Sequence, residues 1–144
     1  YAKQNARTEF LPRKAPRTRP RDRYFAYWVH GYGDQVYLRR RGKGDIWQNL
    51  HEFLLLEAGH APENSAILEE LSRWGTPEDG PAQGPYRQQL THQVIHATFR
   101  EFLLAAPPDL LAERGFFPVE INRLQRYAFP KTILRYLEIR GWTA

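Results

Sequence analysis

The chain has 144 residues and contains no cysteine and no methionine. Without thiols it can form no disulfide framework and no cysteine-ligated zinc site. Iron–sulfur ligation and cysteine nucleophile chemistry within these residues are excluded as well. The missing methionine and the start at Tyr1 predict a piece cut from a longer protein. No apolar run approaches the roughly 18–20 residues that span a bilayer, and no opening segment has signal-peptide character. What is present points to a folded domain: 42% of residues are hydrophobic and 14% aromatic, in a length that suffices for one hydrophobic core.

Charge is distributed unevenly. Residues 1–23 hold eight basic side chains against Glu9 and Asp22, a net of +6, while the other residues hold 13 basic against 14 acidic. Pro12, Pro16 and Pro20 recur through the same leader. Each removes an amide donor and biases its predecessor toward extended backbone. The composition predicts an extended basic linker over residues 1–22 and a domain over 23–144. A solvated charged segment is the simpler reading of the leader. The sharper one is an arm along phosphates, with Arg17, Arg19 and Arg21 as contacts.

Along the domain, residues 23–31 (RYFAYWVHG) read as a strand, with Phe25, Tyr27 and Val29 on one face and Tyr24, Ala26, Trp28 and His30 on the other. Both faces are bulky, which predicts cover on both sides. A turn at 31–34 and a returning strand at 35–40 complete a hairpin. Residues 41–45 form a basic turn, and 53–56 a buried strand. Asn64 caps a helix whose apolar stripe is Ile67, Leu68, Leu71 and Trp74. Residues 76–87 (TPEDGPAQGPYR) read as a long irregular loop, 90–104 as a long strand, 119–126 as a short helical or strand segment, and 130–137 as a C-terminal helix opened by Pro130. Helices on hairpin-joined strands give an α+β domain with a mixed, mostly antiparallel sheet.

Several residues have the type, but not the surroundings, for chemistry. His92 and His96 have metal-ligand spacing on a helix, yet they lie in a segment with strand character and lack an evident third ligand, so no metal is expected. Gly42-Lys43-Gly44 is too short to cradle a phosphate. Glu69 and Glu70 could bind a divalent cation or could simply be solvated. Tyr24, Phe25, Tyr27 and Trp28 could stack on bases or fill the core.

Four groups of residues, in order, resemble MutY-type adenine DNA glycosylases. They are Tyr1-Ala2-Lys3 with Glu9-Phe10-Leu11-Pro12-Arg13-Lys14 and the approach to Arg23-Tyr24-Phe25; Arg39-Arg40 followed by residues 44–53 (GDIWQNLHEF); Leu90-Thr91-His92; and Tyr127-Ala128-Phe129-Pro130-Lys131. The resemblance implies a MutT/Nudix-like domain that reads 8-oxoguanine in DNA. A separate N-terminal domain of the same chain would remove the mispaired adenine and carry the catalytic carboxylates and a [4Fe-4S] cluster; this fragment itself would be non-catalytic and without cofactor. The implied partners are that catalytic domain and double-stranded DNA with 8-oxoguanine:adenine mispairs, with no membrane, in a monomeric, cytoplasmic, nucleoid-associated bacterial repair protein. On the same resemblance Thr91 stands where the family usually has Ser at the lesion, Leu90 where it often has a Phe wedge, and His92 on the family's His. The rivals are a Nudix-type nucleoside diphosphate hydrolase and a nonspecific single-strand-binding module. Nudix hydrolysis needs Arg-Glu-apolar-x-Glu-Glu-x-Gly on a helix. With Glu69 and Glu70 as the Glu pair, Ser65, Ala66 and Ser72 replace the Arg, the first Glu and the Gly.

Overall fold

The computed structural model describes residues 20–57, 75–77 and 83–142. The helix expected from Asn64, the Glu69–Glu70 pair, Arg17 and Arg19 lie outside them. Eight strands are present among the described residues: β1 (Arg21–Tyr32), β2 (Gln35–Arg40), β3 (His51–Glu52), β4 (Leu54–Glu57), β5 (Gly75–Pro77), β6 (Gln83–Gln89), β7 (Gln93–Leu104) and β8 (Phe117–Glu120). Two helices follow the same numbering, α1 (Asp109–Glu113) and α2 (Lys131–Arg140), with a 3-10 helix over Ile121–Arg126.

The two long strands form the spine. β1 and β7 pair in parallel from Arg21↔Gln93 to Gly31↔Leu103, while every other pairing is antiparallel. Parallel neighbours need a long connection, and here it carries the intervening strands. The outer edge of β1 is shared between β4 and β2, and that of β7 between β6 and β5. β2 also pairs with β3 and β8. The expected mixed, mostly antiparallel sheet is therefore present.

Alternation along β1 decides the layers. Phe25, Tyr27 and Val29 enter the larger core with Phe99, Ile133 and Tyr136. On the opposite face Trp28 packs against a smaller cluster that includes Tyr37, Leu54 and Leu111. The expectation of cover on both faces holds toward the end of β1 and fails at Tyr24, which is 54% exposed. α2 is held to β7 by ring stacking of Tyr136 on Phe99, 4.2 Å between centroids, and by Glu101, which accepts from the Tyr136 hydroxyl and from Arg140. It runs three residues beyond the expected Leu137, to Arg140, and Gly141 in the left-handed conformation (φ +73°) ends it.

Other boundaries also differ from expectation. β1 begins at Arg21, because the Arg21 amide donates to His92 O (3.0 Å) and Arg21 and Asp22 already pair with β7. The long strand begins at Gln93, because residues 90–92 turn the chain between β6 and β7. Most of the loop expected over 76–87 is sheet: β5 and β6 both pair with β7. β6 accommodates its Gly and Pro at an irregularity between Gln83 and Tyr86, and sheet-edge irregularities of this kind tolerate both residues.

Candidate nucleic-acid interface

The turn at residues 90–92 is short and backbone-closed. The Leu90 amide donates to Gln93 O at 2.7 Å, and His92 O accepts from Arg21. Leu90 is half-buried and packs against the larger core, so it anchors the turn and only its remaining surface is free to act as a wedge. Thr91 and His92 are exposed. The structure thus brings Leu90, Thr91, His92 and Arg21 together at one end of the spine, with Arg21 exposed on the neighbouring strand. These neighbouring exposed residues carry a hydroxyl, an imidazole and a guanidinium, all suited to hydrogen bonding with a base edge or a phosphate.

His92 and His96 do not form a pair. His96 lies on β7, stacked on Tyr24 and within 2.9 Å of Asp22 Oδ1 through Nε2. Among the described residues no group of three or more His, Cys, Asp or Glu side chains could hold a metal ion. Of the four candidate stacking aromatics, Phe25 and Tyr27 are buried and Trp28 is half-buried, while Tyr24 is open to solvent.

Beneath the turn is a charge network that composition alone did not reveal. Arg23 belongs by count to the basic leader, but it is only 6% exposed. Its guanidinium forms two bidentate pairs, with Glu57 at 2.6 and 2.7 Å and with Asp45 at 2.8 and 2.9 Å. It also donates to Gln93 Oε1 at 2.9 Å. Arg41 donates to Glu52 Oε1 (2.8 Å), to Asp45 Oδ2 (3.1 Å) and to Ile46 O (3.1 Å). Both guanidinium groups lie over the Phe25 ring, at 4.9 and 5.9 Å from its centroid. Hydrogen bonds from Arg23 hold the Asp45 carboxyl down at a pKa of about 2. Hydrogen bonds to Glu57 and Asp45 push the Arg23 pKa up.

This network positions two surface segments at once. Asp45 ties down the loop at 41–50, in which Trp47 and Asn49 adopt φ of +60° and +69°. Gln93, whose carbonyl closes the 90–92 turn, gives its side chain to Arg23. Opposite charges in this arrangement satisfy one another and leave no strong field for a ligand. Breaking such a buried pair costs about 3–5 kcal/mol, because the partner left behind stays buried and charged. A signal for it was available: β1 places Arg23 on the same face as Phe25 and Tyr27.

A family profile described as NUDIX domain matches residues 24–138. The chain belongs to the NUDIX domain family. Two solved structures share the NUDIX fold seen here. One is the C-terminal domain of mouse MUTYH in its crystal complex with human PCNA, at 20% identity and TM-score 0.55, covering 86% of this chain and 92% of that one. The other is the solution structure of the Escherichia coli ORF135 protein, at 14% identity and TM-score 0.54, covering 85% and 90%. At these identities the likeness is one of fold. No curated protein matches the chain in sequence. The α+β architecture expected from the sequence is the NUDIX architecture, with its mixed sheet between packed helices.

Proposed function

We propose that this NUDIX domain is the lesion-reading part of a MutY-type adenine DNA glycosylase, acting in base-excision repair. The observation that carries the reading is the exposed Thr91–His92 turn, rigidly seated by Arg21, Leu90 and the Arg23–Gln93 contact. The fold likeness to the C-terminal domain of mouse MUTYH supports it. So do the four residue groups given above, of which Leu90-Thr91-His92 is the one at this turn.

The chemistry suits the lesion. Oxidation of guanine makes N7 a donor and adds an oxygen at C8. A hydroxyl can accept from the first or donate to the second, and Thr91 supplies one at the surface. His92 is available for a phosphate or base edge, and Leu90 for a short apolar contact beside the lesion. Adenine excision belongs to the catalytic domain in this reading. Its [4Fe-4S] cluster needs cysteine thiolates, which this chain lacks. Double-stranded DNA with an 8-oxoguanine:adenine mispair is the partner.

The test is single-turnover adenine excision by the protein that joins this domain to its catalytic domain, opposite 8-oxoguanine and opposite guanine. Thr91→Ala is expected to lower the ratio of the two rates roughly two- to tenfold, the worth of one hydrogen bond. Thr91→Ser is expected to keep it. An unchanged ratio for Thr91→Ala, and also for Thr91→Ala with His92→Ala, would mean that the lesion is read elsewhere. NUDIX family membership makes hydrolysis the main rival. Ser65 and Ala66 oppose it, since Mg²⁺ requires several converging oxygens. Mg²⁺-dependent release of phosphate or pyrophosphate from 8-oxo-dGTP by this chain would decide for the hydrolase.

A further inference from the structure

Beside the 90–92 turn, one row of side chains crosses three strands without contributing to the core. Register sets Tyr24 of β1 opposite His96 of β7, and His96 opposite Arg87 of β6. The row lies on the face opposite Phe25 and Ala97. The Tyr24 and His96 rings are stacked, with centroids 4.7 Å apart and planes 14° from parallel. Asp22 Oδ1, 2.9 Å from His96 Nε2, fixes the imidazole from its far edge. Arg87 is exposed, with a long 3.4 Å contact to Gln89 on its own strand.

We infer that this row is a second nucleic-acid contact, in which an unpaired base stacks on the exposed ring of Tyr24 and Arg87 takes a neighbouring phosphate. The inference rests on the nucleic-acid reading of the domain but not on lesion recognition at Thr91. Three observations carry it. Tyr24 is a large aromatic left 54% exposed, although neighbours on the same strand are buried. Its ring is ordered in advance by His96, which lowers the entropy lost on binding. The same face also offers a cation: Arg87 is exposed on β6, while the carboxylate of Asp22 is engaged by His96. Three residues of strand span about 10 Å, so a strand held at the turn reaches Tyr24 within a few nucleotides. A paired base has its faces covered by its neighbours, so the occupant is unpaired. Stacking of this kind tolerates any base, because each has a π face.

The experiment uses the 144-residue chain and an undamaged single-stranded oligonucleotide of about a dozen nucleotides carrying one 2-aminopurine, whose fluorescence falls on stacking. The wild type and Tyr24→Phe are expected to quench it. Tyr24→Leu keeps apolar bulk without a ring; it is expected to lose the quench and to bind at least about fivefold more weakly. Arg87→Gln is expected to keep the quench with weaker binding and a flatter salt dependence. Equal quenching by Tyr24→Leu and wild type, or no binding by wild type, overturns the inference. A loss with Thr91→Ala but not with Tyr24→Leu also overturns it, and leaves the lesion reading standing. Loss of the excision ratio's dependence on Thr91, with the quench intact, would instead sink the lesion reading alone.

Discussion

At the scale of single residues, His30 stands apart from its neighbours on β1. It is 2% exposed and stacked on Phe102 at 5.3 Å, and its Nε2 has no hydrogen-bond partner among the described residues. Burial lowers its pKa to about 4. In the unfolded chain a histidine takes up its proton near pH 6.5, whereas the folded one stays neutral until about pH 4. The unfolded state therefore binds more protons in this window, and stability falls as pH drops from 6.5 to 4, then levels. The expected loss from this residue is about 2 kcal/mol between pH 7 and pH 5. Urea midpoints at the two pH values measure it. His30→Phe, which preserves the stack, is expected to remove most of the slope, with His51 carrying a smaller part because burial lowers its pKa too. Equal slopes in the variant and wild type would refute the assignment. Sequence alone put His30 on the correct face; the depth of burial that sets its pKa comes from Phe102, many residues away.

Among the elements, β6 is the informative case. Its sequence, QGPYRQQ, has no apolar alternation, since the strand sits at the sheet edge and is largely exposed. The usual strand signal depends on one buried face, so an edge strand of Gln, Gly and Pro looks like a loop. Its fit to β7 instead rests on Gly84. At φ +105°, a Cβ on Gly84 would lie 2.6 Å from Ala97 O, a backbone atom that cannot move aside cheaply. Gly84→Ala is therefore expected to destabilise the fold by more than about 1 kcal/mol, seen as a drop of several degrees in Tm. Gly42→Ala, where the added methyl meets nothing within 4 Å, is the control expected to leave Tm unchanged. A Tm for Gly84→Ala equal to that of the control would show that β6 is not held against β7 as described.

At the scale of the whole molecule, the basic residues separate into two groups. The Arg23 and Arg41 network is internally neutralised and serves position. The leader's basic excess is uncompensated in sequence, and the proposed reading assigns it to phosphate. Replacing Arg17, Arg19 and Arg21 with Gln is expected to weaken binding of duplex DNA equally with and without 8-oxoguanine. It is also expected to flatten the salt dependence by up to about 0.9 in log–log slope for each phosphate that is no longer neutralised. Titrations of both duplexes at several salt concentrations check this. A loss confined to the lesion duplex would mean that the arm reads the base.

The sequence by itself determined the fold class, the spine strands and the C-terminal helix, because periodicity, Gly and Pro act locally. It also put Leu90, Thr91 and His92 in one segment, since neighbours in sequence stay neighbours in space. Only the tertiary structure decided which charges and aromatics are free. Arg23 and Arg21 look alike in the leader, yet one is buried between Asp45 and Glu57 and the other is open at the turn. Tyr24 and Tyr27 share a strand, yet parity and the partners across the sheet bury one and expose the other. Such differences depend on side chains that meet from 22 to 70 residues apart in the chain, and no local pattern encodes those distances.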